Sequence, residues 1–299
     1  MSSAICAIVV TYHPEPATLH RLLNQLNQSP CDFWVIDNHS NQAAELKQSL
    51  QAYAHCKGST FLSENVGQAE ALNQALESVR SAGYGLALLF DQDSAIDPDF
   101  VSNMHAAWVA AKALDGAPLA ALGPRLQDPR NGRRLPFRTF HQLLERKETP
   151  ASATPPLWEA AFLITSGALL DLQHLSTIGG MRSDYFIDNV DLEWCLRARS
   201  KGFRLLGTDH AKLHHHIGED GPSWAVRRGL VVQHNPLRYY YSSRNRLHLH
   251  RQTYAPWTWR AKDGLRFLLK SLYLFVSSPE RSAYWHSLQR AWRDVGQMP

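Results

Sequence analysis

The first ninety residues alternate strand-like and helix-like patterns, and this alternation constrains the fold more than any other feature. "AICAIVVTY", "DFWVIDNHS", "STFLSENVG" and "YGLALLFDQDS" read as strands. Between them, "PATLHRLLNQLNQS" carries Leu19, Leu22, Leu23 and Leu26 at helical spacing, and "QAEALNQALESVRSAG" is an Ala/Leu-rich helix closed by Gly83. Such an order implies right-handed crossovers and a mostly parallel sheet, whose ligands sit outside the carboxyl ends of the strands.

Polar residues gather at those ends. They are Thr11-Tyr12-His13, Asp37-Asn38-His39-Ser40, Glu64-Asn65 and Asp91-Gln92-Asp93. One such cluster is usually a turn or a helix cap, but four together mark a common crevice. The chain has no GxGxxG or GxxxxGK[ST] loop, which disfavours ordinary dinucleotide or P-loop binding.

The fourth cluster is the most informative. Leu86 to Phe90 form an apolar run fit for a buried strand, which passes directly into two carboxylates one residue apart. On an extended chain Asp91 and Asp93 share a side, but both reach one ligand at the strand's end only if the chain turns at Gln92. Hard oxygen donors of this kind suit Mg2+ or Mn2+, which take one or two carboxylates when substrate phosphates supply the rest. His215, in "HHHIG", is a candidate imidazole ligand.

The Pro/Arg-rich "GPRLQDPRNGRRLPF" breaks the pattern and marks the passage to a second half. There "WEAAFLITSGALLDL" reads as a strand followed by a helix start, "VDLEWCLRARSKG" as a helix stopping at Gly202, and "RLLGTDHAKLHHHIG" as a strand. Asp188 and Asp191 flank the start of that helix. Asp188 suits an N-cap, and either carboxylate, held across the crevice from a metal-bound diphosphate, suits a general base.

Composition limits the remaining classes. With 299 residues and 44% hydrophobic content the chain can bury a sizeable core. Cys6, Cys31, Cys56 and Cys195 are scattered, with no CxxC pair, and read as reduced thiols of a cytosolic protein. No signal peptide or spanning segment is expected. Charge is unevenly placed: residues 225–299 hold 13 Lys/Arg against 3 Asp/Glu, whereas residues 1–224 hold 18 against 24. Nucleic acid, an anionic membrane surface or an anionic substrate could each suit such a tail.

In order, "VVTYHP", "VIDNHS", "ENVGQAEALNQAL", "LLFDQDS", "FIDNVDLEWCLRARSKG", "HHHIG" and "RYYYSSRNRL" resemble family 2 glycosyltransferases of the GT-A fold. The likeness is strongest to bacterial dTDP-rhamnosyltransferases of O-antigen and related polysaccharide synthesis. It covers residues 5 to about 250, and its motifs are specific to the superfamily more than to the donor sugar. The resemblance implies an α/β chain with a Rossmann-like nucleotide-sugar half over residues 1–124, an acceptor and catalytic-base half over 125–235, and a basic helical region over 236–299.

Carried over residue by residue, the resemblance places Thr11 and Tyr12 in the nucleotide pocket and Asp37 at the base edge. Asn65, Gly67 and Asn73 close around the nucleotide, and Asp91 lies near the ribose. Asp93 and His215 hold Mg2+ or Mn2+, and Asp191 is the base of an inverting transfer. Many relatives have Glu-Asp where this chain has Val190-Asp191, which leaves Asp188 as the alternative base. Arg244 and Arg246 in "SSRNR" would add charge near the phosphates or the acceptor.

The implied partners are a nucleotide-sugar donor, with dTDP-rhamnose favoured, and a glycan or lipid-linked glycan acceptor. No nucleic acid partner is expected. The implied location is cytoplasmic, with the basic tail resting on the inner leaflet, packing against the catalytic half or forming a dimer contact. A UDP- or GDP-sugar transferase is the alternative within the class. Outside it stands a non-catalytic nucleotide-sugar- or nucleic-acid-binding protein, supported by the basic, aromatic-rich tail.

Overall fold

The computed structural model describes residues 4–128, 132–140, 148–214 and 235–299. The initial alternation becomes β1 (Ile5–Thr11), α1 (Pro16–Asn27), β2 (Asp32–Asp37), α2 (Ala43–Ser49), β3 (Cys56–Phe61), α3 (Gln68–Ser81) and β4 (Leu86–Asp91). β1 lies between β2 and β4, parallel to both, and β3 continues the parallel set beyond β2.

Side-chain alternation explains the near-continuous apolar runs. Ile5, Ala7, Val9, Leu86, Leu88 and Phe90 face the four leucines of α1. Cys6, Ile8, Ala87 and Leu89 face Ala69, Leu72, Ala75, Leu76 and Val79 of α3. Strands covered on both faces have no solvent side on which to place polar residues.

Next come β5 (Ala95–Ile96), α4 (Phe100–Lys112), β6 (Leu119–Gln127), β7 (Pro150–Ala153), β8 (Pro156–Glu159) and β9 (Leu169–Asp171). They are followed by α5 (Leu175–Ile178), α6 (Val190–Ser200), β10 (Arg204–His214), α7 (Pro236–Arg251), α8 (Trp257–Ser277) and α9 (Arg281–Asp294). One sheet runs β3-β2-β1-β4-β9-β6-β10-β8-β7, with β5 added to β10.

Two readings of the second half need correction. The Pro/Arg-rich segment begins inside β6, which pairs parallel with β10. "WEAAFLITSGALLDL" holds two short strands, β8 and β9, joined by a loop that turns at Gly167 (φ 81°). A Cβ at Gly167 would sit 2.6 Å from the Pro124 ring, so the turn needs glycine for space as well as for conformation.

β9 slots antiparallel between β4 and β6. The bonds Gly167 N–H to Leu89 O (2.7 Å) and Leu89 N–H to Ala168 O (2.9 Å) fix the 163–168 loop beside the end of β4. β5 pairs antiparallel with β10, with His214 opposite Ala95. Two further elements thus converge on the turn that carries Asp91 and Asp93.

Candidate active site

The carboxyl ends of β1 and β2 are joined by Asp37. Its carboxylate accepts from the Thr11 hydroxyl (2.8 Å), the Ser40 N–H (2.8 Å) and the Ser40 hydroxyl (2.5 Å). Both Thr11 and Asp37 are fully buried. These two residues form a buried brace between the strand ends, and Tyr12 beside them is half-exposed.

Asn65 joins the next loop. Its side-chain carbonyl accepts from Asn38 Nδ2 (2.8 Å) and from the Gly67 N–H (3.0 Å), while Asn38 accepts the Val66 N–H (2.9 Å). Gly67 (φ 84°) begins α3, and a Cβ there would lie 2.8 Å from Phe186 Cα. The close approach that this glycine permits is therefore to the Phe186 backbone, whose carbonyl accepts the Gln68 N–H at 2.7 Å. Asn73 reaches across to the second half. Its amide grips the Met181 peptide at both N–H (2.7 Å) and carbonyl (2.8 Å) and reaches Ser183 Oγ (3.1 Å). It holds the second half of the chain in place.

At the end of β4 the chain turns through Gln92 and Asp93, closed by the Ser94 N–H on the Asp91 carbonyl (3.1 Å). Gln92 takes the Tyr12 N–H (2.7 Å) and returns its own N–H to the Tyr12 carbonyl (3.2 Å). Ser94 shares a 2.6 Å hydrogen bond with Ser166 of the β8–β9 connection. Asp93 is left exposed, and Asp91 accepts from Gln68 Nε2 at 3.2 Å. Burial, reinforced by the charges of Asp93 and Asp191 and opposed by Arg238, pushes the Asp91 carboxyl up to about 7.

Asp191 stands in the first turn of α6 and feels the same surroundings. It lines a small apolar cavity with Leu89, Leu163, Thr165, Trp194 and Cys195. Burial raises its carboxyl to about 6; the N–H groups of Leu192 and Thr165 oppose the rise and Asp188 adds to it. Among the described residues no Lys or Arg forms an ion pair with Asp191. Asp188 differs: Arg238 of α7 grips it at 3.0 and 3.2 Å. Asp188 is not the N-cap either, since Asn189, in the left-handed region, occupies that place.

Sequence reasoning missed the residue that holds this loop. Phe186, Asp188 and Asn189 all have positive φ, a costly run for residues with side chains. The fully buried Asn245 amide donates to the carbonyls of Tyr185 (2.8 Å), Ile187 (2.8 Å) and Asp188 (2.9 Å). "SSRNRL" was the available signal, but it drew attention to its arginines. Arg244, expected near the phosphates, bonds the Asp184 carbonyl and Asn245 Oδ1 (3.0 Å) and lies over the rings of Tyr240 and Tyr241. It ties α7 to the loop. His215 lies outside the described residues.

No group of three or more His, Cys, Asp or Glu side chains among the described residues is arranged to hold an ion. The donor chemistry nevertheless fits a hard dication that keeps its waters and takes one or two carboxylates, because Asp91 and Asp93 share one short turn.

A crevice built at the ends of parallel strands, with acids from both halves of the chain and no phosphate loop, narrows the choice of family. The glycosyl transferase family 2 model matches residues 6–169. The chain belongs to that family. Asp91 and Asp93 lie inside the matched segment, and Asp191 lies beyond it.

The transferase is 26% identical over 286 residues to the dTDP-rhamnosyl transferase RfbF of Shigella flexneri, covering 95% of this chain and 92% of that one. Its fold resembles S. aureus TarS 1–349 in complex with UDP-GlcNAc (TM-score 0.59, 16% identity, 98% of this chain and 81% of that one). It also resembles the mannosyltransferase PcManGT of Pyrobaculum calidifontis in complex with GDP-Man and Mn2+ (TM-score 0.55, 17% identity, 99% and 75%). These likenesses identify the fold as GT-A, an α/β architecture around a mostly parallel central sheet.

Proposed function

We propose that the transferase moves L-rhamnose from dTDP-L-rhamnose, with inversion, to a hydroxyl of a growing glycan, free or lipid-linked, in surface polysaccharide synthesis on the cytosolic side. The observation that carries this reading is the meeting of Asp91, Asp93 and Asp191 in one crevice, with Asp191 held protonatable by an apolar wall while Arg238 engages Asp188. The donor assignment draws on the rhamnosyl transferase relative.

The reaction is a single displacement through an oxocarbenium-like transition state. A bond forms between the sugar's anomeric carbon and the acceptor oxygen as the bond to the diphosphate breaks, and the acceptor's proton passes to Asp191. A carboxyl near 6 is ionised at neutral pH yet basic enough to take that proton as the hydroxyl attacks. Asp93, aided by Asp91, would hold Mg2+ or Mn2+, whose charge stabilises a departing diphosphate. Gln92 fixes the turn against Tyr12, and Arg238 engages Asp188.

The test is thermal stabilisation of the purified protein by a panel of dTDP-, UDP- and GDP-sugars, with and without Mn2+. Selective stabilisation by dTDP-rhamnose supports the reading. A UDP- or GDP-sugar that stabilises more strongly overturns the donor assignment, and equal stabilisation without metal overturns the role of Asp93.

A further inference from the structure

Helix α8 turns an apolar stripe toward solvent. Leu265, Leu268, Leu269, Leu272 and Val276 fall on one helical face, and each is at least 51% exposed. Trp257, 67% exposed, extends the same face at the helix start. Trp285 of α9, half-exposed, packs edge-on to Phe275 with ring centroids 5.3 Å apart.

Core packing does not account for this stripe. α8 is anchored through its opposite side, where Trp259, Ser271 and Leu274 are buried and Ser271 bonds the Tyr239 hydroxyl at 2.8 Å. A monomer seldom leaves so long an apolar row uncovered without a partner for it.

The charges beside the stripe say which partner fits. Lys262, Arg266 and Lys270 follow one another at four-residue intervals along one flank, and the exposed Arg281 continues the basic surface beyond the helix. Asp263, the single acid of α8, is turned inward, held by Arg246 (3.0 Å) and His250 (2.8 Å). Residues 225–299 carry ten more basic than acidic side chains. A second copy docked through the stripe, across a two-fold axis perpendicular to the helix, would lay the two basic rows side by side. An anionic lipid surface accommodates both features, with leucines in the acyl boundary and cations among the headgroups.

We propose that α8 docks the transferase on an anionic bilayer, lying in the headgroup plane with the Leu265–Val276 stripe inserted. No helix among the described residues is long and apolar enough to cross a membrane, so the contact is interfacial. The proposal is independent of the donor and acceptor assignments.

Flotation of the full chain with phosphatidylcholine vesicles, with and without phosphatidylglycerol, tests it, alongside light scattering for oligomeric state. Binding is expected only to the phosphatidylglycerol vesicles and weakens as salt rises. Arg266→Glu should weaken it by about fivefold or more, and Leu268→Ser with Leu272→Ser by about tenfold or more. These positions are exposed, so unchanged melting by circular dichroism separates lost docking from lost fold. No flotation at low salt overturns the proposal, as does flotation that the paired serine substitutions leave intact. A dimer dissolved by the same substitutions, without vesicle binding, also overturns it and assigns the stripe to a second copy.

Discussion

Arg238 and Asp188 are joined by three hydrogen bonds, at 3.0, 3.2 and 3.3 Å, across fifty residues of chain. This pair occupies one of the two carboxylates at the start of α6 and leaves Asp191 without an ion pair to Lys or Arg among the described residues. Asp188 is engaged by a guanidinium, whereas Asp191 sits against an apolar wall, with its carboxyl raised to about 6. Breaking the pair should disturb the loop that both acids share. We predict that Arg238→Gln lowers kcat about 10- to 100-fold through misplacement of the loop, with donor affinity changed far less. An equal loss in both would place Arg238 on the donor itself.

The Gln92–Tyr12 clasp makes a second prediction. Gln92→Ala removes two hydrogen bonds that fix the carboxyl end of β1 against the acidic turn. Nucleotide affinity measured by calorimetry should fall about fivefold, the worth of roughly 1 kcal/mol of net hydrogen bonding. Unchanged affinity would mean that the turn keeps its shape without the clasp.

Asn245 is a positioning residue whose loss should be felt in stability first. Asn245→Leu leaves the buried carbonyls of Tyr185, Ile187 and Asp188 without their donor. We expect a destabilisation of about 2–4 kcal/mol in urea unfolding and a larger relative loss in kcat than in donor affinity. A stability change near zero would remove the clamp from the account.

Asp91 carries a stability signature of defined sign. Its carboxyl is raised in the folded state to about 7, so the folded protein binds more protons than the unfolded chain between roughly pH 4 and 7. That contribution is fully present below the unfolded value and is lost as pH rises through about 7. In chelator-treated protein, Asp91→Asn should therefore raise stability at pH 8, by about 1–3 kcal/mol, and change it little at pH 4. A variant less stable than the parent at pH 8 would show that the carboxylate is held by favourable contacts.

Much of this was legible in the sequence where the signal was local. The Leu86–Phe90 run announced β4, and the leucines at 19, 22, 23 and 26 all reached the core of α1, because burial on a fixed period leaves a fixed pattern. β9 was hidden: three residues between a glycine turn and a helical segment carry too little periodicity to read, and its pairing with β4 and β6 is wholly non-local. The site divided in the same way. The acids at the end of β4 could be found from their position, whereas the tasks of Asp37, Asn73, Asn245 and Arg244 depend on partners far along the chain. Asn73 and Arg244 satisfy backbone groups far along the chain, those of Met181 and Asp184. Such roles follow from which buried N–H or carbonyl lacks a partner, and composition carries no trace of that.

In the proposed transfer Asp191 receives the acceptor's proton. The most direct test compares Asp191→Asn with Asp188→Asn for single-turnover transfer and for donor binding, and follows the parent's kcat/KM with pH. Asp191→Asn is expected to bind donor as the parent does and to transfer at least about a thousandfold more slowly, Asp188→Asn to keep measurable transfer, and the parent's rate to fall about tenfold per pH unit below about 6. Near-parent turnover by Asp191→Asn, with Asp188→Asn inactive, would contradict that role of Asp191.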